Sequence, residues 1–265
     1  MPYKRAFSTL GCPDFTLEEA LALAERHGID AVELRALGGS TDIPAYLKKH
    51  YATPSALAEK LRGQRVRIVS FGTSLHLNIG TAEERAKFLE FIPWAEALGA
   101  RWLRVFDGDK IMDQDVLAQA VETMRWWRAQ RIAGGWGVDV MVETHMAMTR
   151  IMTIQCFLEA VPDAAILWDA HHTWKKGGEG LLEMWRAIHR NVVHVHVKDS
   201  IGMPNERHPF TYVLPGDGEF PMASLLTCLK TGFDGTVSLE WEKLWQPSLP
   251  PLEQALSVAT ERVWW

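Results

Sequence analysis

Short apolar runs alternate with segments of helical period from one end of the chain to the other. Residues 66–71, 102–106, 138–142, 165–168, 192–197 and 236–239 are nearly continuous apolar, β-branched stretches. That is how strands read when both faces of a parallel sheet are covered. Two more strands fit at 5–9 and 31–34. Between the runs, Leu17, Ala20, Leu21 and Ala24 fall at i, i+3, i+4 and i+7, the spacing of one helix face. The same spacing recurs at Phe88, Phe91, Ile92 and Ala95, at Met222, Leu225, Leu226 and Leu229, and at Leu252, Ala255, Leu256 and Ala259. Thr16 with Glu19 and Thr81 with Glu84 predict capping boxes, in which the hydroxyl accepts the N3 amide while the glutamate returns to the cap. One further helix falls within 44–61.

Eight strands, each followed by a helix, predict a parallel sheet. A closed (β/α)8 TIM barrel takes about 250 residues, and this chain has 265. The expected fold is therefore α/β, a single TIM-barrel domain over 1–265, with no linker or low-complexity tract dividing it. The longest irregular piece, 200–219, is rich in Gly, Pro and charge, and at that length it predicts a functional loop.

Active sites of such barrels form where strands end at the C-terminal face, so the residues there matter most. The fifth strand ends in Glu143, Thr144 and His145, and the sixth in Asp169, Ala170, His171 and His172. The seventh carries His194, His196, Lys198 and Asp199, and the eighth ends in Glu240, Trp241 and Glu242. Neighbouring strands lie about 4.8 Å apart, so four successive strands bring carboxylate or imidazole groups to one point. Three clustered acids resist ionisation unless a cation sits among them. Three carboxylates and one imidazole suit one divalent cation, Mn²⁺ first, with Mg²⁺, Co²⁺ or Zn²⁺ admitted.

His194 and His196 point the same way along their strand; His196 lies nearer the C-terminal end and is the expected ligand, with His194 a layer deeper. His172 faces substrate, with His171 oriented by packing or hydrogen bonds. His145 is an outer partner of a ligand or a substrate contact. Lys198 belongs to a solvated pair with Asp199 or polarises a substrate oxygen. Arg104, a charge inside an apolar strand, needs a partner and braces a carboxylate from within the barrel. His76 and Asp107 follow the third and fourth strands and line the pocket. Trp94, Trp126 and Trp185 pack helices onto the barrel. Trp168, Trp174 and Trp241 flank the site, where an aromatic wall stacks on sugars, with Trp174 the expected substrate contact. Trp264 and Trp265 seal the last helix or a subunit contact, which admits a homo-oligomer.

Net charge is −5, where a nucleic-acid binder shows a basic footprint, and the expected partner is a small molecule rather than nucleic acid. Three scattered cysteines form no disulfide framework, so a reducing compartment is expected. No apolar signal core or membrane-length apolar stretch occurs, which points to the cytoplasm and to no membrane partner. No Gly-x-Gly-x-x-Gly turn is present, which excludes the usual nicotinamide-binding fingerprint.

The pieces Val142-Glu143, Trp168-Asp169-Ala-His-His172, His194-Val-His196-Val-Lys-Asp199, Gly216-Asp-Gly218 and Ser238-Leu-Glu240-Trp resemble the sugar phosphate isomerase/epimerase superfamily. It includes ketose 3-epimerases, inosose dehydratases and, more distantly, endonuclease IV. The resemblance runs from Ser8 to the last helix. It implies metal ligands at Glu143, Asp169, His196 and Glu240, substrate contact by His172, and proton exchange by Glu143 and Glu240 on opposite faces of a carbohydrate. The epimerases place an arginine soon after the histidine ligand, where this chain has Ile201-Gly202; Arg207 and His208 are the candidates to take its place. The expected activity is isomerisation or epimerisation of a sugar or sugar derivative through a metal-stabilised enediolate. The alternative is a lyase, dehydratase or decarboxylase, using the same site. A nuclease of the endonuclease IV kind and a non-catalytic subunit rank below both.

Overall fold

A computed structural model describes residues 3–78, 80–108, 111–230 and 232–265. Eight parallel strands close a barrel: β1 (Lys4–Ser8), β2 (Ala31–Leu34), β3 (Arg67–His76), β4 (Trp102–Phe106), β5 (Asp139–Glu143), β6 (Ala165–Asp169), β7 (Val192–Val197) and β10 (Thr236–Leu239), with β1 pairing both β2 and β10. The expected fold class is thus the observed one. Two short strands, β8 (Asp199–Ile201) and β9 (Thr211–Val213), form an antiparallel hairpin above the barrel mouth. The segment expected as one irregular loop therefore has a paired root. No helix among the described residues is long and apolar enough to cross a membrane.

Both capping boxes are present, with the amide of Glu19 donating to Thr16 Oγ1 and that of Glu84 to Thr81 Oγ1, each at 3.2 Å. The stretch 44–61 holds two helices, Ile43–Tyr51 and Pro54–Lys60, rather than one. They part at Ala52, whose φ of 59° breaks the helix. Thr53 then caps the second, with Pro54 in its first turn, where a missing N–H costs nothing.

Apolar residues of the strands' outer faces pack under the helices, as with Phe7, Val32, Phe71, Val195 and Val237. The inner face is polar towards the C-terminal end. Glu33 on β2 reaches His194 and His196 on β7 across the lumen, between strands that are not neighbours. Such contacts are available only to side chains inside the barrel. Trp264 and Trp265 are buried, Trp264 packing near Phe220, so the C-terminal pair closes this chain's own core.

Candidate metal centre

Local backbone aims each of the four expected ligands. Glu143 is the last residue of β5. Asp169 ends β6 and caps the helix Ala170–Lys175, its Oδ1 accepting the His172 amide at 2.8 Å. Capping uses one carboxylate oxygen and leaves Oδ2 turned towards the barrel axis. His196 lies in register with Asp169 on one side and Ser238 on the other. Glu240 follows β10, tied by its amide to the Val197 carbonyl at 3.1 Å. One ligand atom from each of Glu143, Asp169, His196 and Glu240 lies within 4.8 Å of all the others, and all four residues are buried.

Surrounding charges hold the two ligand glutamates ionised. Burial works against the Glu143 carboxylate, but Arg104, its Nε 3.1 Å from Oε2, keeps it below the usual range. Burial likewise opposes charge on Glu240, and the His196 and Lys198 cations pull it well below. Lys198 Nζ lies 2.7 Å from Asp169 Oδ2 and 3.1 Å from Glu242 Oε1, and it also pairs with Glu240. Burial disfavours its charge, yet Asp169 and Glu240 raise it well above an ordinary lysine. Glu33, which burial would raise, is lowered by His196 and His194.

The donor set fits a cation. Glu143 Oε2, Asp169 Oδ2 and His196 Nδ1 are buried and none meets hydrogen-bond geometry, although each lies within ion-pair distance of an oppositely charged group; Glu143 turns its other oxygen, Oε1, to 3.8 Å from His196 Nδ1. Glu33 accepts from His196 Nε2 at 2.9 Å and leaves Nδ1, 3.3 Å from Glu240 Oε2, on the cluster side. A carboxylate that takes the far ring N–H fixes the tautomer a metal needs. Burial lowers the His196 imidazolium, but Glu240 and Glu33 outweigh it and raise the group well above its ordinary value. A proton on Nδ1 competes with a metal for that lone pair. Mn²⁺ affinity measured by calorimetry is therefore expected to keep rising with pH above the ordinary imidazole range, with proton release. A flat profile would mean that His196 is not a ligand.

A cavity of about 550 Å³ opens over the cluster, lined by Glu143, Glu240, His145, His172, Arg207 and His208 among others. His172, expected to face substrate, does line it, its Nδ1 2.9 Å from Asp169 Oδ2. Burial, then Lys198 and Lys176, depress its basicity. His145 also faces the cavity, and burial lowers it to about 4, so both rings are neutral near pH 7. Arg207 and His208 reach the rim from the tip of the β8–β9 hairpin. A second hollow, about 640 Å³, lies at the opposite end of the barrel, among the strands' N-terminal residues Lys4, Arg67 and Thr236. Catalysis in these barrels occurs at the other face, and no described metal-type cluster adjoins it.

Three expectations need correction. Trp174 does not line the cavity; its ring meets His171 and Phe220 edge-on, 5.6 Å from each, as part of the hairpin's support. Trp168 and Trp241 are likewise core residues, donating to Thr173 Oγ1 and to the Pro250 carbonyl. Lys198 is neither solvated nor paired with Asp199; it is buried among three carboxylates. Asp107 does not line the cavity either. Its carboxylate accepts the amides of His145, Met146 and Met148 at 2.7–3.1 Å.

Burial pushes the Asp107 carboxyl up to about 7, against the pull of those three amides. Because that value lies above the ordinary one, its contribution is fully present at low pH and fades as pH rises through about 7. Asp107→Ala would leave three amides without their acceptor, at about 1–3 kcal/mol for each that stays buried. The expected result is a lower thermal midpoint together with a displaced His145, checked by calorimetry and by the His145 ring resonances.

Sequence reasoning assigns no role to Glu242, which it places at the end of the eighth strand, and does not single out Glu33, Arg35 or Tyr212, whose hydroxyl donates to Glu242 at 3.1 Å. The signal for Glu33 and Arg35 was there: Glu33 is the one charge in a four-residue buried strand and Arg35 follows it. Ionised groups in such places are paired or functional.

A closed parallel barrel that gathers three carboxylates and an imidazole at its C-terminal mouth has the build of a metal-dependent enzyme. The family model described as xylose isomerase-like TIM barrel matches residues 21–261, and the chain belongs to that family. An inosose isomerase of Bacillus velezensis is 24% identical over 92% of this chain and 90% of its own length. Among solved structures, that of an IolI protein with a bound zinc atom superposes with a TM-score of 0.76 at 20% identity, covering 98% of this chain and 96% of that one. The probable 3-DHS dehydratase AsbF of Bacillus anthracis superposes with a TM-score of 0.77 at 16% identity, covering 98% and 99%. At such identities the two structures show the shared fold.

Proposed function

We propose that this chain is a divalent-metal-dependent isomerase or epimerase acting on a sugar or sugar derivative. The observation that carries the reading is that Glu143 and Glu240 belong to the four-residue cluster and also line the cavity above it. Glu143, Asp169, His196 and Glu240 would hold the cation, Mn²⁺ by the hardness of three carboxylates. When bound, it supplies the Lewis acidity that stabilises negative charge developing on a substrate carbonyl oxygen.

This chain's residues do the rest. Glu143 and Glu240, kept ionised by Arg104 and by His196 with Lys198, remove a proton from the carbon beside the carbonyl and return one. When Glu240 takes up the proton, Lys198 keeps its contacts with Asp169 and Glu242 and stays in place. Neutral His145 and His172 are placed to hydrogen-bond substrate hydroxyls. Return to the opposite face gives an epimer, and return to the adjacent carbon gives an isomer. The name of the Bacillus velezensis relative supports isomerase chemistry.

The test is proton NMR of the Mn²⁺-loaded protein in D₂O with ketoses, inososes and keto-sugar acids. Deuterium at an α-carbon with an epimeric or isomeric product is expected. Vinylic or decarboxylated products would replace the isomerase with a lyase that uses the same first proton removal. Full exchange after chelation would end the metal reading.

A further inference from the structure

Two arginines lie side by side in the cavity wall, and only one is engaged. Arg104 pairs with Glu143 and donates Nη1 to the Thr73 carbonyl at 3.0 Å, its guanidinium 3.9 Å from the Phe106 ring centroid. Arg35, just beyond β2, is 6% exposed, lines the same cavity, and has a buried Nη1 with no hydrogen-bond partner. Among the described residues it forms no ion pair. Burial and the neighbouring Arg104 lower it to about 10, against the weaker pull of Glu143, Glu240 and Glu33, which it does not touch in an ion pair, and it stays charged at neutral pH.

The fold makes room for this arrangement. A Cβ on Gly72 of β3 would stand 2.6 Å from Arg35 Cδ and 3.0 Å from Arg104 Nη2. Gly72 has ordinary backbone angles, so what the position excludes is bulk. A buried guanidinium with no direct ion pair and an unsatisfied N–H is costly, and it is tolerated where a ligand's negative charge completes it.

We propose that the substrate carries a carboxylate, and that Arg35 binds it while the cluster of Glu143, Asp169, His196 and Glu240 addresses the reacting end. The guanidinium fork matches a carboxylate's two oxygens. A phosphate ester fits less well. Barrels of this type commonly seat phosphate on backbone amides after the seventh and eighth strands. Here the amides of Gly216, Gly218 and Phe220, in the segment after β7, all donate to Asp199 at 2.8–3.0 Å. A Cβ on Gly218 would meet Asp199 Oδ1 at 2.1 Å, so this nest is closed around the chain's own acid. The substrate class is therefore an unphosphorylated, polyhydroxylated acid with a keto or aldehyde carbonyl. The inference rests on the reading that this cavity is the reaction site.

Calorimetry of the Mn²⁺-loaded protein with matched pairs tests it: 2-keto-D-gluconate against D-fructose, and D-glucuronate against D-glucose, with D-fructose 1-phosphate as a third arm. At least one acid is expected to bind about 10- to 100-fold more tightly than its neutral partner, the range of a hydrogen bond to a charged group. Arg35→Gln should bring that ratio to about one, and Arg35→Lys, a charge without the fork, should recover part of it. Mn²⁺ affinity, measured separately, should stay within about threefold in both, a change well under one tenfold step. Gly72→Ala keeps the arginine but crowds it, and should lower the ratio as well, which covers the case in which Arg35→Gln does not fold. Acids that bind no better than their partners, silence included, would overturn the proposal, as would preference for the phosphate ester or a ratio that survives Arg35→Gln. Arg35-dependent acid binding without α-deuteration would keep this site and remove the isomerase reading. Deuteration of the neutral sugars alone would do the reverse.

Discussion

Glu240→Gln is expected to reduce α-deuteration by about 10³-fold or more, within the range for removing a positioned proton acceptor. The amide has the same shape and cannot take up the proton. Mn²⁺ should also bind more weakly, because one anionic oxygen leaves the cluster. The fold should survive, since Lys198 retains Asp169 at 2.7 Å and Glu242 at 3.1 Å. Circular dichroism and calorimetry of the variant should therefore resemble those of the parent, with a loss of about 1–3 kcal/mol from the pairs with His196 and Lys198. Activity within tenfold of the parent would remove Glu240 from the proton-transfer step.

Arg104→Leu should have the largest effect on stability. Glu143 is 1% exposed, and Arg104 is the nearest cation to it at 3.1 Å, with His196 Nδ1 farther off at 3.8 Å. Removing one member of a buried pair costs about 3–5 kcal/mol, because the other charge is left uncompensated. In a chain of this length each kcal/mol moves the midpoint by about 2–4 °C, so the metal-free variant should melt about 6–20 °C below the parent. Added Mn²⁺ should return part of that, since a cation among the ligands compensates Glu143 and binds only the folded state. An unchanged midpoint would show that Glu143 is protonated in the metal-free protein.

The strands were legible because parallel strands covered on both faces read as continuous apolar runs. The four expected ligands were legible because each is a polar residue at or near the C-terminal end of such a run. What escaped depends on distance across the lumen. Glu33 meets His196 from 163 positions away, on a strand three places removed around the barrel, and no periodicity encodes that meeting. The three carboxylates around Lys198 escape the sequence for the same reason, because they come from two other strand ends. Trp174 shows the complementary error. An aromatic residue close in sequence to a metal-type acid reads as a wall of the site, whereas the helix begun by Asp169 turns it towards Phe220 beneath the hairpin.

The hairpin root has a consequence for how this enzyme can be altered. Loops at this face of a barrel are ordinarily its most variable parts. Here Asp199 binds the far end of the segment through three amides, and β8 pairs with β9, so both stems are framework. The stretch between the stems, 202–210, brings Arg207 and His208 to the cavity rim. It is thus an exchangeable cassette on a fixed mount, and replacement of those nine positions would redraw the rim while the acids below kept their places.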